Sequence, residues 1–191
     1  KVVTSGEAAM NAINQNKFGE KFYHLGPSRD QSLIEKVLKN KTSLDSCEFI
    51  ICTGLFDEHE KDLNYYKELL KDYTSKNFIC TNPDLIVHRG NIEELCAGSV
   101  AKTFETLGGK VIYYGKPYKE IYKMCFDQGE KVLAIGDNLR TDIKGANNLN
   151  IDSLFIYNGV HKNEIKGNEE ISVLLKKYDV KTNFLQKEIK W

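Results

Sequence analysis

The chain has 191 residues, 41% of them apolar, enough for one large domain or two small ones with real cores. Its 27 basic and 27 acidic residues cancel to a formal net charge of 0, so the electrostatic footprint of a nucleic-acid binder is absent. No apolar run approaches the roughly 20 residues of a membrane span, and no signal peptide is visible at the start.

The elements follow in chain order. Thr4-Ser5-Gly6-Glu7 has the spacing of a capping box and predicts a helix over 5–16. Residues 22–25 read as a strand closed by Gly26-Pro27. Leu33, Ile34, Val37 and Leu38 then recur at helical spacing. Residues 49–53 form the next strand, and Leu63, Tyr66, Leu69, Leu70 and Tyr73 mark one face of a longer helix. A third strand over 77–81 ends at Asn82-Pro83-Asp84. A helix over 97–107 stops at Gly108-Gly109, a good C-cap. Residues 110–114, 132–135 and 153–157 read as further strands with helical patterns between them, and the lysine-rich tail from Lys176 as a solvated helix face and terminus. Strands separated by helices imply βαβ units, hence an α/β fold with a mainly parallel, Rossmann-like sheet.

Gly108-Gly109 is the best internal boundary. It separates a helix and linker (1–20) and an α/β unit (21–108) from a C-terminal part (109–191). A unit of that size after a strand can cover a site like a lid. The five cysteines (Cys47, Cys52, Cys80, Cys96, Cys125) contain no C-x-x-C pair and fall mostly in apolar runs, as buried reduced thiols do. A reducing cytoplasm is the expected location.

Chemistry concentrates in residues 132–146, V-L-A-I-G-D-N-L-R-T-D-I-K-G-A. An apolar strand ends in Gly136, Asp137 follows, and Asp142 reads as part of the first turn of a helix. A carboxylate just past the end of a parallel strand sits where open α/β sheets bind ligands. Gly115-Lys116-Pro117 places a cation after the strand over 110–114, an equivalent strand end. Acid and base on one edge suit magnesium-assisted phosphoryl transfer. No Asp-x-Asp follows any strand, so a nucleophile of that type is missing. Taken singly, each feature has a plainer reading. Asp137 and Asp142 could cap a helix, Lys116 could be a solvated lysine beside a turn, Asn82-Pro83-Asp84 could be only a turn, and His88 a surface residue. His24, His59 and His161 have no ligand-like spacing and receive no role.

Together, Thr81-Asn82-Pro83-Asp84, Cys96-Ala97-Gly98, Gly115-Lys116-Pro117 and the run from Gly136 to Asp142 resemble the haloacid dehalogenase (HAD) superfamily, specifically its class IIA branch of p-nitrophenylphosphatase-like hydrolases. The resemblance covers roughly the last two thirds of that family's length. It implies an incomplete Rossmann-like core with an α/β cap. It also implies hydrolysis of phosphomonoesters through an aspartyl-phosphate intermediate, with Mg2+ as cofactor. Asp137 matches the metal-holding carboxylate, Asp142 the second acidic residue that supports the site, and Lys116 the catalytic cation. Asn82 and Asp84, with His88 and Arg89, match the cap segment that selects the substrate, expected to be a small phosphorylated metabolite.

The family's aspartate nucleophile lies on a first strand upstream of the matching region. That strand pairs with the one leading into Asp137, so residues 132–135 should keep one open edge unless another segment or chain fills it. Two functions of different class follow. One is a magnesium-dependent phosphatase whose nucleophile segment lies outside this chain. The other is a non-catalytic remnant that binds a phosphorylated ligand or a partner. A receiver domain shares the acid-plus-lysine logic but lacks the inserted cap-like unit. Pairing of identical copies stays open, and neither nucleic acid nor membrane is an expected partner.

Overall fold

The structure, a computed structural model, describes residues 1–90, 92–165 and 168–190. It divides into two compact units, Lys1–Gly115 and Lys116–Trp191.

The first unit opens with α1 (Ser5–Asn14), and Thr4 caps it as the sequence predicts: its hydroxyl accepts from the Glu7 amide at 3.1 Å. Such a cap contributes about 1 kcal/mol. β1 (Phe22–Leu25), β2 (Phe49–Cys52), β3 (Asn77–Cys80) and β6 (Val111–Tyr113) form a parallel sheet in that order. Side chains alternate across it. Leu25, Ile50, Cys52, Phe78 and Cys80 pack against α3 (Leu63–Leu70) and α4 (Ala97–Thr106) through Tyr66, Leu70, Val100 and Phe104. The intervening Phe22, Phe49, Ile51 and Ile79 face the opposite way and are equally buried. Gly108 ends α4 at φ +88°, while the Gly109 amide returns to the Phe104 carbonyl at 3.1 Å.

Three sequence expectations need correction here. The helix expected from Leu33 to Leu38 breaks up: α2 spans only Gln31–Ile34 and continues as a 3-10 segment, Glu35–Asn40. Only Ile34 of the four apolar positions is fully buried, and Leu38 faces solvent, so packing does not hold a longer helix. The boundary placed at Gly108-Gly109 comes one strand too early, because β6 adds to the β3 edge and belongs with the first unit. The equivalence of the two strand ends fails for the same reason, since β6 and the strand before Asp137 lie in different sheets. An antiparallel hairpin, β4 (Ile86–Arg89) and β5 (Ile92–Leu95), also went unread. Gly90 at φ +62° turns it, and Gly-Asn between two β-rich runs is a hairpin signal.

The second unit contains α5 (Lys119–Tyr122), β7 (Leu133–Gly136), α6 (Lys144–Leu149), β8 (Asp152–Ile156), α7 (Asn168–Lys177) and β9 (Phe184–Gln186). β7, β8 and β9 form a parallel sheet in that order. Leu139, Ile143, Phe155, Leu174 and Val180 make its core. The tail, expected as a solvated helix face and terminus, supplies β9 after α7. Asn183 ties it down, accepting from the Ser153 amide at 3.0 Å. Among the described residues β7 pairs on one side, with β8, as expected for the strand leading into Asp137. Leu133 and Ile135 stand exposed on it.

Candidate active site

The acidic motif is built on the carboxyl end of β7. A Cβ at Gly136 would lie 2.3 Å from the Asp142 side chain, so only glycine lets Asp142 fold back over the strand end. Asn138 starts the next turn, its side chain accepting from the Arg140 amide at 2.9 Å. Residues Leu139–Ile143 then wind as one wide π turn before α6, in place of the simple helix start expected.

That turn carries Asp142 back to the strand end. Its Oδ2 accepts from the Asp137 and Asn138 amides, both at 3.1 Å, and its Oδ1 pairs with Lys116 Nζ at 2.5 Å. Both Asp142 oxygens are thus committed within the unit. The Asp142 side chain is 10% exposed and that of Lys116 50%, so the lysine forms the open side of the pair. Lys116 and the acidic run thus meet within the second unit.

Asp137 has a different anchor. Its Oδ2 accepts from the Val160 amide at 3.0 Å, and no described residue bonds its Oδ1. A half-buried carboxylate with one oxygen fixed and one available can serve a hard cation. Among the described residues no cluster of three His, Cys, Asp or Glu side chains could hold a metal by itself. Magnesium takes one or two protein carboxylates and completes its shell with water and phosphate oxygens, so Asp137 fits as one ligand of several.

His161, given no role from its spacing, is buried close by. Its Nε2 accepts from the Leu139 amide at 3.2 Å, and its Nδ1 lies 2.7 Å from Glu164 Oε1. Lys177, first, and His161 hold the Glu164 carboxyl down to about 2. No local pattern encodes this contact. The only signal was positional, since Gly159-Val160-His161 follows the strand beside β7.

The other expected residues lie in the first unit. Asn82 Oδ1 accepts from the Asp84 amide at 3.2 Å, and the start of α4 rests on this turn. A Cβ at Gly98 would come 2.4 Å from the Pro83 carbonyl, which accounts for glycine in Cys96-Ala97-Gly98. His88 and Arg89 belong to β4, and their side chains lie outside the described residues.

A HAD-hydrolase-like family model matches residues 113–174, the stretch that holds Lys116, Asp137, Asp142 and His161. A hydrolase of the haloacid dehalogenase-like family from Brucella suis is 27% identical, superimposes with a TM-score of 0.82, and is matched over 99% of this chain and 72% of its own. Over these residues and in its fold the chain is similar to the haloacid dehalogenase superfamily. Its motifs are consistent with class IIA. Ribonucleotide monophosphatase NagD of Escherichia coli K12 is 31% identical over 87 residues, which are 44% of this chain and 34% of NagD. The match thus spans about a third of that relative's length. A glycerol phosphate phosphatase from Mycobacterium tuberculosis, solved with magnesium, shares the fold at 17% identity and a TM-score of 0.65, over 97% of this chain and 55% of its own.

Proposed function

We propose that this HAD-like chain carries the lysine-and-acid part of a magnesium-dependent phosphomonoesterase. The observation that carries the reading is the Lys116–Asp142 pair locked onto the amides of Asp137 and Asn138 at the end of β7. Lys116 would neutralise the phosphoryl oxygens as charge builds on them. Asp142 would hold Lys116 and the loop in place, and Asp137 would offer Oδ1 to Mg2+. When bound, the metal supplies electrostatic stabilisation to the phosphoryl group. NagD's name and the magnesium-bound phosphatase of the same fold accord with this chemistry.

The reading needs an aspartate nucleophile that residues 1–191 do not offer in an Asp-x-Asp motif. A strand alongside the open edge of β7 would place one next to Asp137. The α/β unit over 21–108 would act as the cap, with Asn82, Asp84, His88 and Arg89 selecting a small phosphorylated metabolite. A reducing, cytoplasmic setting accords with five free cysteines, and no described helix is long and apolar enough to cross a membrane.

The test is hydrolysis of p-nitrophenyl phosphate with and without Mg2+. Residues 1–191 alone should stay at background. In a polypeptide that also supplies the nucleophile strand, Lys116→Ala and Asp137→Asn should each lower kcat about a hundredfold, the scale of losing one preorganised charge. His88→Ala should change the ranking of substrates and spare small generic esters. Full activity of Lys116→Ala would remove Lys116 from the chemistry, and background activity even with the nucleophile strand supplied would favour a phosphate-binding remnant without turnover.

A further inference from the structure

We propose that Gly159, Val160 and His161, the segment just after β8, act as a positioning clasp. It fixes the Asp137 carboxylate through one backbone amide and the start of the π turn through one imidazole, and leaves Asp137 Oδ1 without a bond from any described residue. The clasp itself stands on geometry; that Oδ1 awaits a cation rests on the function proposed above.

Each residue of the segment has a separate contact. A Cβ at Gly159 would fall 2.1 Å from Asp137 Oδ2 and 2.4 Å from its Cβ, nearer than real side-chain atoms approach. Any larger residue must therefore push Asp137 aside. Val160 contributes its amide, at 3.0 Å from Asp137 Oδ2, while its side chain faces solvent. His161 is 3% exposed and packs between Phe155 and Tyr178, with ring centroids 6.2 and 4.9 Å away.

The partners of His161 settle its tautomer. The Leu139 amide can only donate, so Nε2 accepts and the ring proton sits on Nδ1, directed at Glu164. Lys177 holds that carboxylate from its other oxygen at 2.7 Å. The chain of contacts runs Lys177, Glu164, His161, Leu139 amide, and ends two residues from Asp137. In carboxylate–histidine–metal triads the carboxylate orients an imidazole that is itself the ligand, whereas here the imidazole would orient the loop that bears the ligand.

The experiment uses the whole 191-residue chain and two readouts that need no turnover: amide hydrogen exchange at Leu139 and Val160, and Mn2+ affinity by titration. His161→Gln can place an acceptor near the Nε2 position, whereas His161→Asn can keep only the donor near Nδ1. The Leu139 amide should stay protected in His161→Gln and exchange about tenfold faster or more in His161→Asn, the scale of one lost hydrogen bond. Asp137→Ala should deprotect Val160 in the same way. Gly159→Ala should weaken Mn2+ binding about tenfold or more, as loss of outer-shell support does. Equal exchange at Leu139 in the Gln and Asn variants, or wild-type protection of Val160 in both Asp137→Ala and Gly159→Ala, overturns the clasp. If the exchange pattern holds but neither this chain nor a polypeptide that also supplies the nucleophile strand takes up Mn2+, the clasp stands and the metal reading of Asp137 falls.

Discussion

In the first unit, Phe22, Leu25, Phe78, Ile79 and all of β2 are fully buried, whereas β7 in the second unit leaves Leu133 and Ile135 46% and 49% exposed. The strand that carries the acidic motif is therefore the less supported of the two. Packing on both faces fixes the first sheet. At the end of β7, polar contacts fix the loop instead, and Asp142 alone receives two amides and a lysine. The difference teaches where each unit can be damaged: the first by removing volume, the second by moving single polar atoms.

The largest effect should come from Phe78→Ala. Phe78 is fully buried and stacks on Phe104 with centroids 4.8 Å apart. Truncating it should remove about 3–5 kcal/mol by leaving a cavity in a core that cannot collapse onto it. Urea unfolding followed by circular dichroism measures this, and a loss under about 1 kcal/mol would show the first unit to be looser than its burial implies.

A pH dependence should follow in the same unit. His24 is buried beside β2, its Nε2 2.9 Å from Thr53 Oγ1. Burial, and then Lys41, push its imidazole down from 6.5 to about 4, with Asp30 opposing. The folded unit thus keeps His24 neutral where the unfolded chain has already taken up a proton. Stability is fully present above pH 6.5, falls as pH drops towards 4, and levels off below it. The drop should reach at most about 3 kcal/mol, one proton's linkage over that window. Urea midpoints at closely spaced pH values should show this slope, and His24→Gln should flatten it.

Gly136→Ala carries the comparison to the second unit. Its new methyl would meet Asp142 at 2.3 Å and drive the carboxylate off the Asp137 and Asn138 amides. The cost should be about 1–3 kcal/mol, less than for Phe78→Ala. The local signature should be larger than the global one: the Asp137 and Asn138 amides should lose exchange protection while the first unit keeps its own.

What the sequence made legible follows the same division. The strands over 22–25 and 49–53 were readable because each is an apolar run, and Gly26-Pro27 closes the first. Gly136, Asp137, Asn138 and Asp142 were readable because their contacts close within six residues. The helix past Ile34 was misread because periodicity counts apolar residues and cannot tell which of them find a partner. β9 was too short for any pattern. The contact between His161 and Leu139 spans 22 positions, and its meaning depends on β8 lying beside β7. Such a contact appears only once the strands are ordered.

The smallest expected effect is also the most direct test of the open edge. Ile135→Thr replaces a half-exposed β-branched side chain with a smaller polar one, also β-branched and of similar strand propensity. In residues 1–191 little apolar area is at stake, and the change should stay within about 0.5 kcal/mol, as for most surface substitutions. Beside a partner strand the same side chain would be desolvated, and losing it should cost about 1.5–3 kcal/mol. Measuring Ile135→Thr in this chain and in a longer polypeptide supplying that strand therefore separates two states of one edge. A cost above about 1 kcal/mol in the 191-residue chain would mean that Ile135 is already covered in solution, and the exposed sheet edge would have to be given up. Leu133→Thr, two residues away on the same face, should repeat the pattern if the whole strand is open, and depart from it if only the end near Asp137 is.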